Sequence, residues 1–307
     1  MAGVSAGTPV IHSTPEGGLA LHRFLIGNIL LETDYANVPV LSEGNLQRFR
    51  YDGHWEGERA VLNCTSEALT SYLIEPVIPE NMVYGIYTHD GQSLLVYHWG
   101  NQRHGFIVWP DRFSISFSPA MYQQPALRED WFFSICGFHR QLLIRGACVL
   151  HASYVDIGGE AILFTGPSGV GKSTQAALWA SCTGAEIING DRAVVRKENG
   201  RWCAFGYPSC GTSGICTNRT LPIRAIVSLA QGSDNFIESI SQAAAIRAIT
   251  AATEFYPWAK NEFDLVLGIS SQISSQIPIL RLTCTPDRNS VDALKQYLEG
   301  MCTDDFV

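Results

Sequence analysis

One stretch of the sequence combines the residue types and spacing that bind nucleotide phosphates. It matches the pattern G-x-x-x-x-G-K-[ST] and runs through Gly166, Pro167, Ser168, Gly169, Val170, Gly171, Lys172, Ser173 and the next residue, Thr174. Glycines let backbone N–H groups turn inward around phosphate oxygens, and the N-terminus of a following helix adds partial positive charge. Lys172 would reach the β- and γ-phosphates, and the Ser173 hydroxyl would ligate Mg²⁺. The stretch therefore predicts a P-loop that binds a nucleoside triphosphate such as ATP with Mg²⁺.

A P-loop enzyme also needs a carboxylate nearby, and Asp191 is the candidate. It lies 19 residues after Lys172, a distance that fits one helix and one strand, and we expect it to end the strand that starts at Glu186. Gly-Asp is also a common start of a β-turn, which would give Asp191 an ordinary structural role. Because a P-loop precedes it, we expect Asp191 to ligate Mg²⁺ and to accept a proton.

His151 is a second candidate beside the phosphate site. It follows an apolar run that ends at Leu150, and we expect it to begin the loop after that strand. A histidine in this place could orient the Asp191 carboxylate or contact a transferring phosphoryl group, whereas an isolated histidine at a strand end is more often structural. Spacing alone leaves both roles open.

The elements that would position these residues indicate a mixed α/β (α+β) domain from residue 127 onwards. The P-loop joins an apolar strand at 161–165 to a helix that starts at Lys172 and ends at about Ser181. An apolar stripe over 128–145 predicts a helix before the domain's first strand. The other predicted elements are strands at 147–150, 186–188, 193–195, 202–205, 223–229 and 279–283, and helices at 242–255, 259–269 and 290–298. The strands at 193–195 and 202–205 form a predicted hairpin with a turn around Asn199-Gly200.

The N-terminal part of the chain has a different pattern. Residues 1–18 are small and polar and predict a flexible tail. Residues 19–126 predict a mainly antiparallel β domain, because aromatic and β-branched runs alternate with Asp-Gly and Pro-Asp turn signals. Its clearest part is a meander at 82–87, 94–97, 106–109 and 113–117. We therefore predict a tail, a β-rich domain that could dock an acceptor, and a catalytic domain at 127–307.

Composition excludes several classes of protein. The 307 residues are 46% hydrophobic and 16% charged, so the chain is neither wholly disordered nor fibrous. Its net charge of −8 disfavours a nucleic-acid partner. It has no apolar run long enough to span a membrane and no secretory signal pattern, and its nine cysteines include no C-x-x-C pair. We expect a cytoplasmic protein without a membrane partner.

The segment around His151, the P-loop and residues 188–192 together resemble the HPr serine kinase/phosphorylase family in order and spacing. The resemblance covers roughly residues 147–298. It implies the catalytic fold that this family shares with phosphoenolpyruvate carboxykinases, and ATP- and Mg²⁺-dependent phosphate transfer to a hydroxyl. His151 corresponds to the family's histidine, and Asp191 to the second aspartate of its Asp-Asp pair.

The sequence departs from that family at three places. Gly190 stands where the family has its first aspartate, so the metal and base roles fall on Asp191. The family's Arg-Gly-x-Gly-Ile segment has only a loose counterpart at 209–215, so we do not expect reverse phosphorylase activity. The loop at 211–214 could contact phosphate or acceptor, or it could be an ordinary turn. The N-terminal region looks more like that of divergent HPr-kinase-related proteins.

The sequence therefore predicts a kinase that acts on a hydroxyl group. The resemblance favours a serine of a protein or peptide as the acceptor. A small hydroxylated metabolite is the alternative acceptor, and a nucleotide-binding regulatory module without catalysis is the alternative function. The resemblance leaves a homo-oligomer open, and the motif does not distinguish ATP from GTP.

Overall fold

The computed structural model describes residues 21–33, 44–69, 84–99, 102–119, 132–133 and 135–301. These residues form a mixed α/β structure with two sheets. They fall into two compact units. The first draws on residues within Met1–Arg23, Leu31–Pro39 and Arg59–Ala126, and the second on residues within Phe24–Leu30, Val40–Glu58 and Leu127–Val307. The predicted tail at 1–18 lies outside the described residues, and the predicted domain boundary between residues 126 and 127 stays a prediction.

The first seven strands are β1 (His22–Ile26), β2 (Ile29–Thr33), β3 (Arg59–Ser66), β4 (Tyr84–His89), β5 (Gln92–Trp99), β6 (Gln102–Trp109) and β7 (Ser114–Phe117). In the first unit, five of them lie in the order β3-β7-β6-β5-β4. The predicted meander is confirmed, since β4 to β7 pair antiparallel, while β3 and β7 pair parallel. Asp90 and Gly91 both have positive φ, as a tight two-residue hairpin turn requires.

The second sheet contains eight strands with a branched order. They are β8 (Ala147–Asp156), β9 (Ala161–Thr165), β10 (Glu186–Asn189), β11 (Arg192–Glu198), β12 (Arg201–Phe205), β13 (Thr220–Gln231), β14 (Phe236–Ser239) and β15 (Ile279–Cys284). The main path is β10-β8-β11-β12-β13-β15-β14, and β9 lies between β8 and β13. β9, β13 and β15 run parallel to one another, and the P-loop leaves the carboxyl end of β9.

Strand β8 changes partners along its length, and this change positions the site. Its first half, to His151, pairs with β11, and its second half pairs with β9 and β10. The predicted strand at 147–150 is therefore longer than expected, and the prediction that His151 begins a loop is wrong. The β11–β12 hairpin is confirmed.

The helices are α1 (Phe138–Leu143), α2 (Lys172–Thr183), α3 (Gln242–Ala252), α4 (Lys260–Ser274) and α5 (Arg288–Gly300). α2 and α5 pack over one group of buried side chains, whose strand members include Ile162 and Phe164. α3 and α4 pack over another group, which includes Ala161 and Leu163. Alternate residues of β9 thus face opposite cores, which explains its continuous apolar sequence.

Several predicted helices have other bounds than the observed ones; α4, for example, ends at Ser274, five residues later than predicted. The apolar stripe at 128–145 is helical at residues 132, 133 and 135, but the helix is interrupted at Gly137, whose φ is +77°, before α1 begins. α3 ends at Ala252, three residues earlier than predicted, because the chain then runs beside β8. Across the described segments, no helix is long and apolar enough to span a membrane.

Candidate functional site

The predicted P-loop connects β9 to α2, and its glycines adopt conformations that other residues rarely reach. Gly166, Gly169 and Gly171 have φ values of +141°, +78° and +116°. A Cβ added at Gly169 or Gly171 would meet no atom within 4 Å, so the backbone there faces open space. A phosphate group fits such a backbone cradle at the start of a helix.

Lys172 is the first residue of α2, and its side chain folds back onto the loop. Its Nζ donates to the carbonyl oxygens of Gly166 at 3.1 Å and Pro167 at 3.2 Å. Burial lowers the pKa of Lys172, and the charge of Asp191 acts in the opposite direction. The ammonium group is thus held where the loop could close around a phosphate.

The structure brings His151 and Asp191 together. His151 Nε2 lies 2.8 Å from Asp191 Oδ1, and His151 pairs with Arg192 across the β8–β11 ladder. The hydrogen bond from His151 holds the pKa of Asp191 below its usual range, and the charges of Arg192 and Lys172 act in the same direction against burial. Asp191 is therefore an ionised carboxylate that is oriented by His151.

The prediction that Asp191 ends strand β10 is wrong. β10 ends at Asn189, and Asp191 lies in the bend before β11. The buried Asn189 side chain fixes this bend, because its Oδ1 accepts from the backbone N–H groups of Asp191 and Arg192, both at 2.8 Å. Its Nδ2 donates to the carbonyls of Tyr207 at 2.7 Å and Ser209 at 3.2 Å. Sequence reasoning missed Asn189, although an asparagine that bonds to the backbone two residues later is a known turn signal.

The carbonyl of Gly190 connects the P-loop helix to the Asp191 bend. It accepts from Ser153 Oγ at 2.9 Å and from Ser173 Oγ at 3.4 Å. Ser173 and Asp191 are the predicted Mg²⁺ ligands, and this contact places them on neighbouring parts of the site. A hydroxyl and a carboxylate are hard oxygen donors of the kind that Mg²⁺ takes together with water and phosphate oxygens. In the described part of the chain, no group of three His, Cys, Asp or Glu side chains could hold a metal ion.

The loop at 211–214 lies directly against Asp191. It begins with a 3-10 turn over Gly211–Ser213, and a Cβ added at Gly211 would come within 2.9 Å of Asp191 Cγ. A Cβ added at Gly190 would overlap with the Oγ and Cβ atoms of Ser213. Residues 211–215 are exposed, so this loop borders the carboxylate on its solvent side. Position 190 is thus closed to a second aspartate by the same loop.

Comparisons with known proteins add little to this geometry. No family model matches the chain, and no curated protein matches it. Among the solved structures that match is the HPr(Ser) kinase/phosphatase from Coxiella burnetii, a weak structural neighbour. It has a TM-score of 0.28 and 15% sequence identity, and the match covers 50% of this chain and 93% of that chain. A likeness at this level carries no functional argument, so function has to be inferred from the residues themselves.

Proposed function

We propose that this chain is an ATP- and Mg²⁺-dependent kinase that transfers the γ-phosphate to the hydroxyl of a serine in a protein or peptide. One observation carries the proposal: a glycine-rich loop that holds Lys172 meets a histidine-paired carboxylate, Asp191, through the Gly190 carbonyl. Phosphoryl transfer depends mainly on positioning and charge neutralisation, and both are supported by this arrangement. The resemblance to HPr-kinase-related proteins agrees with it.

The chain's own residues divide the work. The backbone around Gly169 and Gly171 binds phosphate oxygens, and Lys172 stabilises charge on the β- and γ-phosphates. Ser173 and Asp191 would hold Mg²⁺, which would neutralise charge on the phosphate oxygens. Asp191 accepts the proton of the acceptor hydroxyl as that oxygen bonds to the γ-phosphorus and the bond to ADP breaks. His151 orients the carboxylate through its contact with Oδ1.

An acceptor on a peptide is favoured by the surroundings of Asp191. The exposed residues 211–215 border the carboxylate, and Ile215 is 40% exposed. A serine carried by a peptide could reach Asp191 across such an open surface, whereas a metabolite kinase gains from a pocket that encloses its substrate.

Incubation with γ-labelled ATP and Mg²⁺, with peptide and metabolite pools in separate reactions, tests the proposal. We expect label in the peptide pool. Because Lys172 and Asp191 act on the transferring group, Lys172→Ala and Asp191→Asn should each reduce the rate by about 10²-fold or more. Lys295→Ala is the matched control, since Lys295 is exposed and pairs with Glu299.

Each other result has a distinct meaning. Label in the metabolite pool alone would overturn the peptide acceptor but keep the kinase. ATP binding that depends on Lys172, with no labelled product in either pool, would favour the regulatory module. Unchanged turnover in Lys172→Ala would overturn the assignment of the P-loop.

A further inference from the structure

A glutamate that the sequence analysis did not single out lies beside the Asp191 site. Glu254 follows α3, and its segment is fixed against β8 by the backbone. Thr253 forms a β-bridge with Leu150, and the Glu254 N–H donates to the Val149 carbonyl at 2.9 Å. Since Val149 and Leu150 immediately precede His151, Glu254 is held next to the site by main-chain hydrogen bonds.

The Glu254 side chain is partly buried and pairs with Arg192. Its Oε2 atom is buried and makes no hydrogen bond, and it lies 3.4 Å from Arg192 Nε in an ion pair. Burial raises the pKa of Glu254, Arg192 lowers it, and Asp191 raises it further. A buried carboxylate oxygen without a hydrogen bond is costly, so the position of Oε2 beside Arg192 calls for a functional reason.

Arg192 contacts both Glu254 and Ser209 and stops short of Asp191. Its Nε faces Glu254, and its NH1 donates to Ser209 Oγ at 2.6 Å. The distance from NH1 to Asp191 Oδ2 is 3.7 Å, which is ion-pair distance but not a hydrogen bond. The guanidinium group therefore lies beside the carboxylate without the bidentate pairing that arginine and aspartate form when neither is restrained.

We propose that Glu254 is a positioning residue that fixes the Arg192 guanidinium beside Asp191. From this place Arg192 can stabilise charge on the transferring phosphoryl group while Asp191 keeps its contact with His151 and its capacity to accept a proton. The inference rests on the proposed kinase function.

Without the Glu254 charge, Arg192 would be expected to close onto Asp191. The isosteric variant Glu254→Gln should therefore lower kcat by about 10- to 100-fold, the usual effect of losing a residue that orients an active-site group. KM for ATP should stay within about twofold, because the P-loop is untouched. Glu254→Asp, which keeps the charge at shorter reach, should lose less.

A double-mutant cycle separates positioning from simple structural support. If Glu254 acts through Arg192, Glu254→Gln should add little to the loss already caused by Arg192→Ala. Glu238→Gln is the matched control, because Glu238 also pairs with an arginine, Arg281, but lies on β14 away from the site residues. The inference would be overturned if the kcat losses of the two single variants multiply in the double variant, or if Glu254→Gln keeps the wild-type kcat.

A measurement without turnover keeps this inference distinct from the kinase proposal. The Nε–H signal of Arg192 in a ¹H–¹⁵N spectrum, assigned with Arg192→Lys, should shift and exchange faster with water in Glu254→Gln. A shifted signal in a protein without ATP turnover would overturn the kinase proposal but support the Glu254–Arg192 contact. An unchanged signal would overturn the contact. If Glu254→Gln does not fold, the Arg192 Nε–H signal and kcat are measured in Glu254→Asp instead. Wild-type values of both in that variant would overturn the inference.

Discussion

Gly190 offers the sharpest test of how the site is packed. Gly190→Ala adds one methyl group where the Oγ and Cβ of Ser213 already lie. The backbone of Gly190 is not in the left-handed region, so the cost comes from overlap and not from φ. Overpacking of this kind costs about 1–3 kcal/mol. We therefore expect Gly190→Ala to lower the free energy of unfolding by about 2 kcal/mol.

Removal of the Ser213 side chain should restore the space. The next atom of Ser213 is its Cα, 3.9 Å from the added Cβ, which is ordinary contact distance. Ser213→Gly alone loses two hydrogen bonds, one from Oγ to the Cys210 carbonyl at 2.7 Å and one from Ile215 N to Oγ at 3.2 Å. In an exposed loop these are worth about 1 kcal/mol together. Independent effects would sum to about 3 kcal/mol, whereas the double variant should lose only about 1 kcal/mol.

Urea unfolding of the four proteins, followed by tryptophan fluorescence, measures this coupling. A coupling energy of about 2 kcal/mol in favour of the double variant is expected. Losses that add, or a Gly190→Ala variant as stable as wild type, would refute the packing of the 211–214 loop on Gly190. The same result would also remove the physical reason for a glycine at that position.

Two further predictions concern buried polar groups. Asn189→Ala removes four hydrogen bonds at the Asp191 bend, so thermal unfolding should report a loss of about 3 kcal/mol, and turnover should fall with it. Burial, with the charges of Arg140 and Arg192, lowers the pKa of His139 from 6.5 to about 3. Below pH 6.5 the His139 imidazole is therefore protonated in the unfolded chain but stays neutral in the folded chain. The free energy of unfolding should fall by about 1.4 kcal/mol per pH unit as the pH drops below 6.5. Denaturant unfolding near pH 6.5 and pH 5 should show this slope in wild type and its loss in His139→Gln.

The strand and the helix that flank the predicted P-loop were predictable because their signals are local. The glycine spacing, the apolar run before it and the helix-forming residues after Lys172 all lie within about 20 residues of one another. The β11–β12 hairpin was predictable for the same reason, since its Asn199-Gly200 turn has positive φ at both residues. Neither feature depends on a partner that is distant in the sequence.

The surroundings of Asp191 could not be predicted because they depend on distant parts of the chain. Asn189 stabilises the bend through carbonyls 18 and 20 residues away, at Tyr207 and Ser209. Glu254 reaches Arg192 only because its segment pairs with β8, and no periodicity in the sequence indicates that pairing. The closure of position 190 by Ser213 likewise depends on a loop whose conformation is set by contacts with β10.

The apolar core also fixes which way the His151 side chain faces. Leu150 and Ala152 pack into the core under α3 and α4, so His151, between them on β8, has to point to the opposite face. Ala193 on β11 packs into the same core, which directs Arg192 away from it. A slip of one residue between β8 and β11 would exchange these faces and separate His151 from Asp191. The burial of small and branched side chains in this ladder therefore sets the geometry of the proposed proton acceptor as directly as its own hydrogen bonds do.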